Sequence, residues 1–307
     1  MPRARFLTIL AFAAIYLLWG STFLAIRIAV ESVPPLFAAG LRFVLAGAAL
    51  SAWARLRGGV TPTRLEWRNL FILSTFLFLI AYGGLFWAER TMPSGIASVL
   101  VATIPVWTAL LQIFVFRKES FRWSLIVGLA IGLLGVAVLA FDPTERLTVA
   151  ACLAVLMSEL SWSVGTVLSK ALVVPKSMLV NSGWQMLIGG LMLLAGSGLI
   201  GEWQPAPRVS WRAGLAIVYL AVAGSIIAFT AYVWLLSRMK ATTVTSYAYV
   251  NPVVALVLGH WFGNEPLGWR TVFGALLVLL SVVLVMRENK QNLESPAKRE
   301  INAARAR

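Results

Sequence analysis

The stretch WGSTFLAIR (Trp19–Arg27) returns as WSVGTVLSK (Trp162–Lys170), and the alignment of the two copies decides the fold. At an offset of 143 residues Trp162 falls on Trp19, Lys170 on Arg27 and Glu159 on Tyr16. The run WQMLIGGLMLLA (Trp184–Ala195) falls on LRFVLAGAALSA (Leu41–Ala52) at the same offset. Further along the offset becomes 147, which brings Pro252 onto Pro105, Met239 onto Met92, Thr245 onto Ser98 and Trp234 onto Trp87. Apolar sequences align with one another easily. The argument for duplication therefore rests on polar and aromatic marks recurring in the same order.

The chain around these marks belongs in lipid. Of its 307 residues 60% are hydrophobic and 12% charged, and the mean hydropathy is +0.84. A soluble globule carries about a quarter charged residues. Apolar stretches of about 20 residues follow one another with short spacers, each long enough to cross a hydrocarbon core of about 30 Å. They predict an all-α integral membrane protein with about ten transmembrane helices: Phe6–Ile26, Leu36–Leu56, Trp67–Ala88, Ser94–Phe116, Phe121–Ala140, Thr148–Ser169, Met178–Ile200, Trp211–Leu236, Ala241–Phe262 and Leu267–Met286.

Charge assigns the sides. A net charge of +14 raises nucleic acid as a partner, but the basic residues alternate between loops. Threaded with the N-terminus inside, the cytoplasmic loops hold Arg55, Arg57, Arg64 and Arg68, then Arg117, Lys118 and Arg122, then Lys170 and Lys176, then Arg238 and Lys240. The external loops keep only Arg90, Arg146, Arg208, Arg212 and Arg270. This asymmetry places both termini in the cytoplasm, as expected for a multi-pass protein of a bacterial-type inner (plasma) membrane, and no nucleic acid is expected. Arg3 and Arg5 ahead of an apolar run resemble the start of a signal peptide, but the run continues to Ile26, so a retained first span is expected. The polar tail 289–307, with Lys298, Arg299, Arg305 and Arg307, suits contact with anionic lipid. A lone Cys152 excludes an intramolecular disulfide, and a lone His260 cannot build a histidine metal site; no metal or cofactor is expected.

Five spans per half is an odd number, so the second copy must enter the membrane in the opposite sense. The expected organisation is two inverted five-helix repeats, 1–143 and 144–288, followed by the tail. Inverted repeats pack in two related ways, which is the basis of alternating access.

Candidate binding residues follow from helical stripes. Glu159, Trp162, Thr166 and Lys170 recur at i, i+3, i+7 and i+11 on one face, and Tyr16, Trp19, Phe23 and Arg27 repeat that face in the first span. Polar groups in hydrocarbon must face protein or water, so the two stripes are expected to line one interior cavity. Trp19, Tyr82, Ser98, Trp162, Thr166, Thr245 and Tyr249 are the candidate substrate-binding residues. Aromatic faces with hydroxyl groups suit a small amphipathic molecule. With 13 tryptophans in the chain the interfacial belt is the competing role, and Trp53, Trp67, Trp123, Trp203, Trp211 and Trp269 fit it. Glu159 falls near mid-span, where a carboxylate costs roughly 2.5 to 3.5 kcal/mol on insertion scales. It is the candidate for proton coupling, with a packing role as the alternative. Pro105 and Pro252 are candidate helix kinks whose freed carbonyls can line a cavity, or serve packing alone. Asn251 points away from the Tyr249 face of a regular helix, toward helix-to-helix bonding. Gly128, Gly132 and Gly135, with Gly189, Gly190, Gly196 and Gly198, allow close helix approach within the chain or across a dimer, so monomer and homodimer stay open.

Three stretches carry a family resemblance: LLWGSTFLAIRIA (Leu17–Ala29), AERTMPSGIASVLVATIPVWTALL (Ala88–Leu111) and YVNPVVALVLGHWFGNEPL (Tyr249–Leu267). Over roughly Leu7 to Met286 the chain resembles the drug/metabolite transporter superfamily, specifically its ten-span members made of two EamA-type repeats. That resemblance implies a secondary transporter exporting amino acids or related metabolites, and the aromatic candidates tilt it toward bacterial aromatic amino acid exporters. Multidrug efflux by the same fold is the alternative. The second half reads WSV at Trp162–Val164 where the first reads WGS, so the site is not expected to be exactly symmetric. Sugar phosphates call for several deep cations, and only Arg42, Arg27 and Lys170 are available. A membrane enzyme fares worse, since there is no HExxH, no paired intramembrane aspartate and no nucleophile with a base.

Overall fold

A computed structural model of the chain describes residues 2–117, 123–140, 148–204, 206–239, 244, 247–281 and 283–284. Thr245 and the basic tail lie outside the described residues, as does the side chain of Tyr249. Among the described residues the fold is helical, without a strand. Seven helices are long and apolar enough to cross a membrane: α1 (Arg5–Val30), α2 (Pro35–Leu56), α3 (Arg64–Ala88), α4 (Ser94–Val115), α6 (Val149–Ser169), α7 (Met178–Leu199) and α8 (Trp211–Leu236). Three shorter apolar helices complete the described set: α5 (Trp123–Ala140), α9 (Tyr247–Gly263) and α10 (Trp269–Ser281).

Helix starts follow from local chemistry. Thr63 and Glu66 form a reciprocal capping box at α3, and Thr148, Ser177 and Ser210 cap α6, α7 and α8 through their hydroxyls. The helices α2 and α4 begin after Pro34 and Pro93, which offer no side-chain cap. Distant carboxylates take that role. Glu202 accepts from Leu36 N (3.4 Å) and Phe37 N (3.0 Å), and Glu265 accepts from Ser94 N (2.8 Å) and Gly95 N (3.1 Å). Each places a negative group at the positive end of a helix dipole.

The helices α2 and α7 pack with their backbones in close approach. A Cβ on Gly47 would come within 2.9 Å of Gly183 O, and one on Gly190 within 3.0 Å of Gly40 O. Gly40 thus faces Gly190 while Gly47 faces Gly183, so the helices run antiparallel with their backbones in contact. Gly183 and Gly190 stand 143 residues after Gly40 and Gly47, so the pairing is reciprocal, as in an isologous interface. The helices α5 and α10 also pack antiparallel through small residues, Gly132 against Ser281 and Gly135 against Gly274.

Several helices are not regular. π-helical turns occupy Ala14–Leu18 in α1, Thr75–Ile80 in α3, Leu111–Val115 in α4 and Leu220–Phe229 in α8. Such wide turns shift side-chain register and are common at functional sites. The path of α4 changes at Ala102–Thr103, between Ser94–Val101 and Ile104–Leu110, with Pro105 in the first turn of the second segment. Pro252 lies inside α9. Trp53, Trp123, Trp203, Trp211 and Trp269 are exposed, and large apolar side chains such as Phe71, Leu191 and Leu215 are exposed between them, as lipid-facing surfaces require.

Candidate functional site: a central aromatic cavity

The two stripes read from the sequence meet at the centre of the bundle. A cavity of about 50 Å³ is lined by Trp19, Thr22 and Phe23 of α1, Tyr82 of α3, Glu159 and Trp162 of α6, and Tyr247 and Asn251 of α9, with Ile26, Leu85, Val101 and Ile104 among its apolar neighbours. Trp19 and Trp162 meet edge to face, with ring centroids 6.0 Å apart. Trp19 also packs on Tyr232 (5.1 Å) and Tyr247 (5.0 Å), and Trp162 on Tyr82 and Tyr232 (5.8 Å each). Edge-to-face contacts of this kind add about 0.5–1.5 kcal/mol per pair beyond burial.

Polar groups are placed unevenly around this cluster. The indole of Trp19 donates to Gly224 O (3.0 Å), which fixes its plane. The indole N–H of Trp162 and the hydroxyl of Tyr247 are buried and make no hydrogen bond of good geometry, although the indole lies beside the Tyr232 and Tyr247 hydroxyls. Glu159 is 4% exposed, and among the described residues no hydrogen bond to its carboxylate is found. Asn251, turned so that its amide nitrogen faces carbonyls, donates to Ile15 O (3.2 Å), Tyr16 O (3.0 Å) and Tyr247 O (3.3 Å). Ile15 and Tyr16 lie in the π-helical turn of α1. Buried polar atoms left unpaired are the exception in folded proteins, so a cavity that collects them is suited to a ligand that supplies the partners.

The stripes lead out of the cavity by different routes. That of α1 passes from Trp19 and Phe23 to Arg27, which lines a cavity of about 590 Å³ with Glu31, Arg212 and Glu265. That of α6 passes from Glu159 and Trp162 to Thr166 and Lys170, which line a second cavity of about 760 Å³ with Lys176, Asn181, Gln185 and Arg238. Thr166 Oγ1 and Tyr232 OH share a hydrogen bond of 3.2 Å where the second cavity approaches the aromatic cluster. Arg27 Nη1 donates to Glu89 O (2.5 Å) and Arg90 O (2.6 Å), tying α1 to the end of α3. Burial lowers the pKa of Lys170, just beyond α6, from its ordinary value.

Of the sequence-predicted residues, Trp19, Tyr82, Trp162 and Glu159 surround the central cavity, and Thr166 stands at its margin. Ser98 is buried within α4, donates to Gly95 O of its own helix (2.6 Å) and does not line the cavity. Thr22, Tyr247 and Asn251 line the cavity without having been among the expected residues, and neither was Tyr232, which packs on Trp19 and Trp162 and lines the Lys170 cavity. For Asn251 the expected role in helix-to-helix bonding is present, and the side chain lines the cavity as well. Among the described residues no group of three or more histidine, cysteine, aspartate or glutamate side chains is arranged to hold a metal ion.

Comparison with known proteins adds a family to this geometry. The EamA-like transporter family matches the chain twice, over residues 6–141 and 149–287. The uncharacterized inner membrane transporter YedA of Escherichia coli K12 is 37% identical over 278 residues, covering 90% of this chain and 89% of that protein. Protein PecM of Dickeya dadantii is 27% identical over 281 residues, covering 89% and 92%. A protein of known crystal structure shares the fold with a TM-score of 0.65 at 22% identity, covering 91% of this chain and 96% of that one.

Proposed function

Since the chain belongs to the EamA-like transporter family, within the drug/metabolite transporter superfamily, we propose that it exports amino acids, aromatic or other large neutral ones foremost, or related small metabolites from the cytoplasm by alternating access. The observation that carries this reading is the central cavity, in which equivalent tryptophans from the two halves, two tyrosines and one unpaired carboxylate meet between two larger openings.

The cavity's size speaks for a contracted state. Ligand sites commonly measure about 300–1,000 Å³. At about 50 Å³ the centre holds a few waters, so substrate entry requires the aromatic walls to separate. The reciprocal α2–α7 glycine pairs support a division into inverted repeats, 1–143 and 144–288, because equivalent helices of an inverted pair run antiparallel. In that scheme both termini are cytoplasmic, the Lys170 cavity opens inward and the Arg27 cavity outward. The α1 and α6 stripes are then equivalent paths toward opposite faces. Glu159 is placed to hold either the ammonium group of a substrate or a proton, which offers a means of coupling export to proton entry.

A second reading, efflux of amphipathic amines by the same fold, is favoured by Glu159 being the one ionised-type side chain lining the centre among the described residues. Membrane-enzyme chemistry has no comparable support. The test is exchange of radiolabelled compounds in proteoliposomes, screened over the common amino acids and a set of aromatic amines. Saturable flux accelerated by unlabelled compound on the far side supports export of that class. A screen in which amines alone exchange would favour the second reading, and flux without saturation or trans-acceleration would remove the carrier reading altogether.

A further inference from the structure

Arg42 of α2 is wholly buried, and it has no acidic partner within bonding distance among the described residues. Its Nε donates to Ser225 Oγ (2.9 Å), and its Cζ lies 4.6 Å from the Phe43 ring centroid and 5.0 Å from that of Tyr82. Both terminal nitrogens, Nη1 and Nη2, are buried and make no hydrogen bond of good geometry, the Tyr82 hydroxyl being the polar side-chain group beside them. A guanidinium kept for helix packing alone is normally satisfied by carbonyls or a carboxylate, as Arg27 is by the carbonyls of Glu89 and Arg90 in this same fold. The aromatic faces and the nearby Tyr82 hydroxyl offset part of the cost of burying the charge, but they supply no anionic acceptor matched to the planar fork.

The group sits immediately behind the central cavity. A Cβ on Gly224 would come within 2.8 Å of Arg42 Nη2 and 2.7 Å of Thr22 Cγ2, so the fork and Thr22 both lie against Gly224. Thr22 and Tyr82 both line the cavity, and Gly224 O accepts from Trp19, another of its walls. One layer of side chains separates the unpaired guanidinium from the space that the unpaired Glu159 borders. The elements forming that layer carry wide turns: Gly224 and Ser225 lie within the π-helical Leu220–Phe229, and Tyr82 follows Thr75–Ile80 by two positions. Conversion between π and α turns rotates the residues beyond them.

We propose that Arg42 is the carboxylate-recognising residue of the transport site, its fork pairing with the carboxylate of an α-amino acid whose ammonium group is held by Glu159. The proposal rests on the export reading and narrows it to zwitterionic substrates. Gln185 stands at the equivalent position of the second half and lines the Lys170 cavity. Exchange of conformation between inverted halves brings Arg42 to the edge of the opposite opening, where a bidentate carboxylate contact forms.

Binding of phenylalanine and of phenethylamine, which lacks the carboxylate, to purified protein in lipid nanodiscs tests this. In R42Q, phenylalanine affinity is expected to fall at least about tenfold while phenethylamine affinity stays within about twofold of wild type. R42K keeps the charge without the planar fork and is expected to lose at least about fivefold of the preference for phenylalanine; it carries the test should R42Q fail to fold. E159Q is expected to weaken both compounds. Equal losses for both compounds in R42Q, an unchanged preference in folded R42K, or a wild type that binds phenethylamine and ignores phenylalanine each overturn the role of Arg42 and leave export itself standing. A wild type that neither binds nor exchanges any amino acid or amine brings down the export reading together with this one.

Discussion

Trp19 and Trp162, 143 residues apart in the chain, meet edge to face at the centre of the bundle with an interplanar angle of 84°. Equivalent residues of two repeats touch each other only on or near the axis relating the repeats. The contact therefore marks where an internal two-fold would lie and where a single substrate would meet both halves. A tryptophan serving only as a lipid anchor belongs at a helix end and exposed, as Trp211 and Trp269 are.

Trp162→Ala is expected to lower substrate affinity at least about tenfold, since it removes a wall that contacts Trp19, Tyr82 and Tyr232 together. Equilibrium binding to folded protein checks this. Wild-type affinity and flux in the variant would remove Trp162 from the site.

For Glu159, the expectation concerns driving force rather than affinity alone. An inward proton gradient drives export through wild-type protein in proteoliposomes, and Glu159→Gln carries out substrate exchange without responding to that gradient. Equal responses in both proteins assign coupling elsewhere, and no response in wild type makes the carrier a facilitator.

Gly47→Leu forces a branched side chain into the backbone contact between α2 and α7. Overpacking of this kind costs about 1–3 kcal/mol or more. A melting temperature lowered by several degrees in detergent is expected, with Gly58→Leu as a comparison free of neighbours but strained by a φ of +75°. An unchanged melting temperature for Gly47→Leu would show that α2 and α7 do not pack as described.

Glu89, just beyond α3, is buried with both carboxylate oxygens unpartnered. Burial, and next the nearby Glu265, push its pKa well above the ordinary 4.5, against the opposing pull of Arg27 and Arg42. The folded protein therefore holds a proton that the unfolded chain releases above that ordinary value. Stability from this group is fully present below about pH 4.5 and declines as pH rises toward the raised folded value. Thermal melts of wild type and Glu89→Gln between about pH 5 and pH 8 should diverge, wild type losing more on the alkaline side. Parallel curves would place the carboxylate in contact with water.

The apolar spans and the two stripes were legible in the sequence because hydrophobic length and helical periodicity are local properties. Trp19, Trp162 and Glu159 were found together for that reason. Tyr232 was missed because nothing local in its own span ties it to the tryptophans; its ring meets Trp19 and Trp162 only through tertiary packing. Part of Asn251's role was hidden in the same way, since two of the carbonyls it meets, Ile15 O and Tyr16 O, belong to a different helix. The glycine pairs were present at the 143-residue offset, but only packing reveals that Gly40 faces Gly190 rather than its own equivalent. Ser98 satisfied the pattern and not the geometry, because its hydroxyl is engaged by Gly95 O one turn back.

Alternating access itself is tested most directly by two inter-label distances measured under identical conditions by pulsed electron resonance. In a Cys152→Ala background, one spin-label pair at Arg212 and Phe262 spans the Arg27 cavity, and another at Lys176 and Arg238 spans the Lys170 cavity. As a transported compound is added, one distance should lengthen while the other shortens, each drawn from the same two populations. Both openings widening together, or both staying fixed while transport runs at its maximal rate, would contradict a carrier whose central cavity is reached from one side at a time.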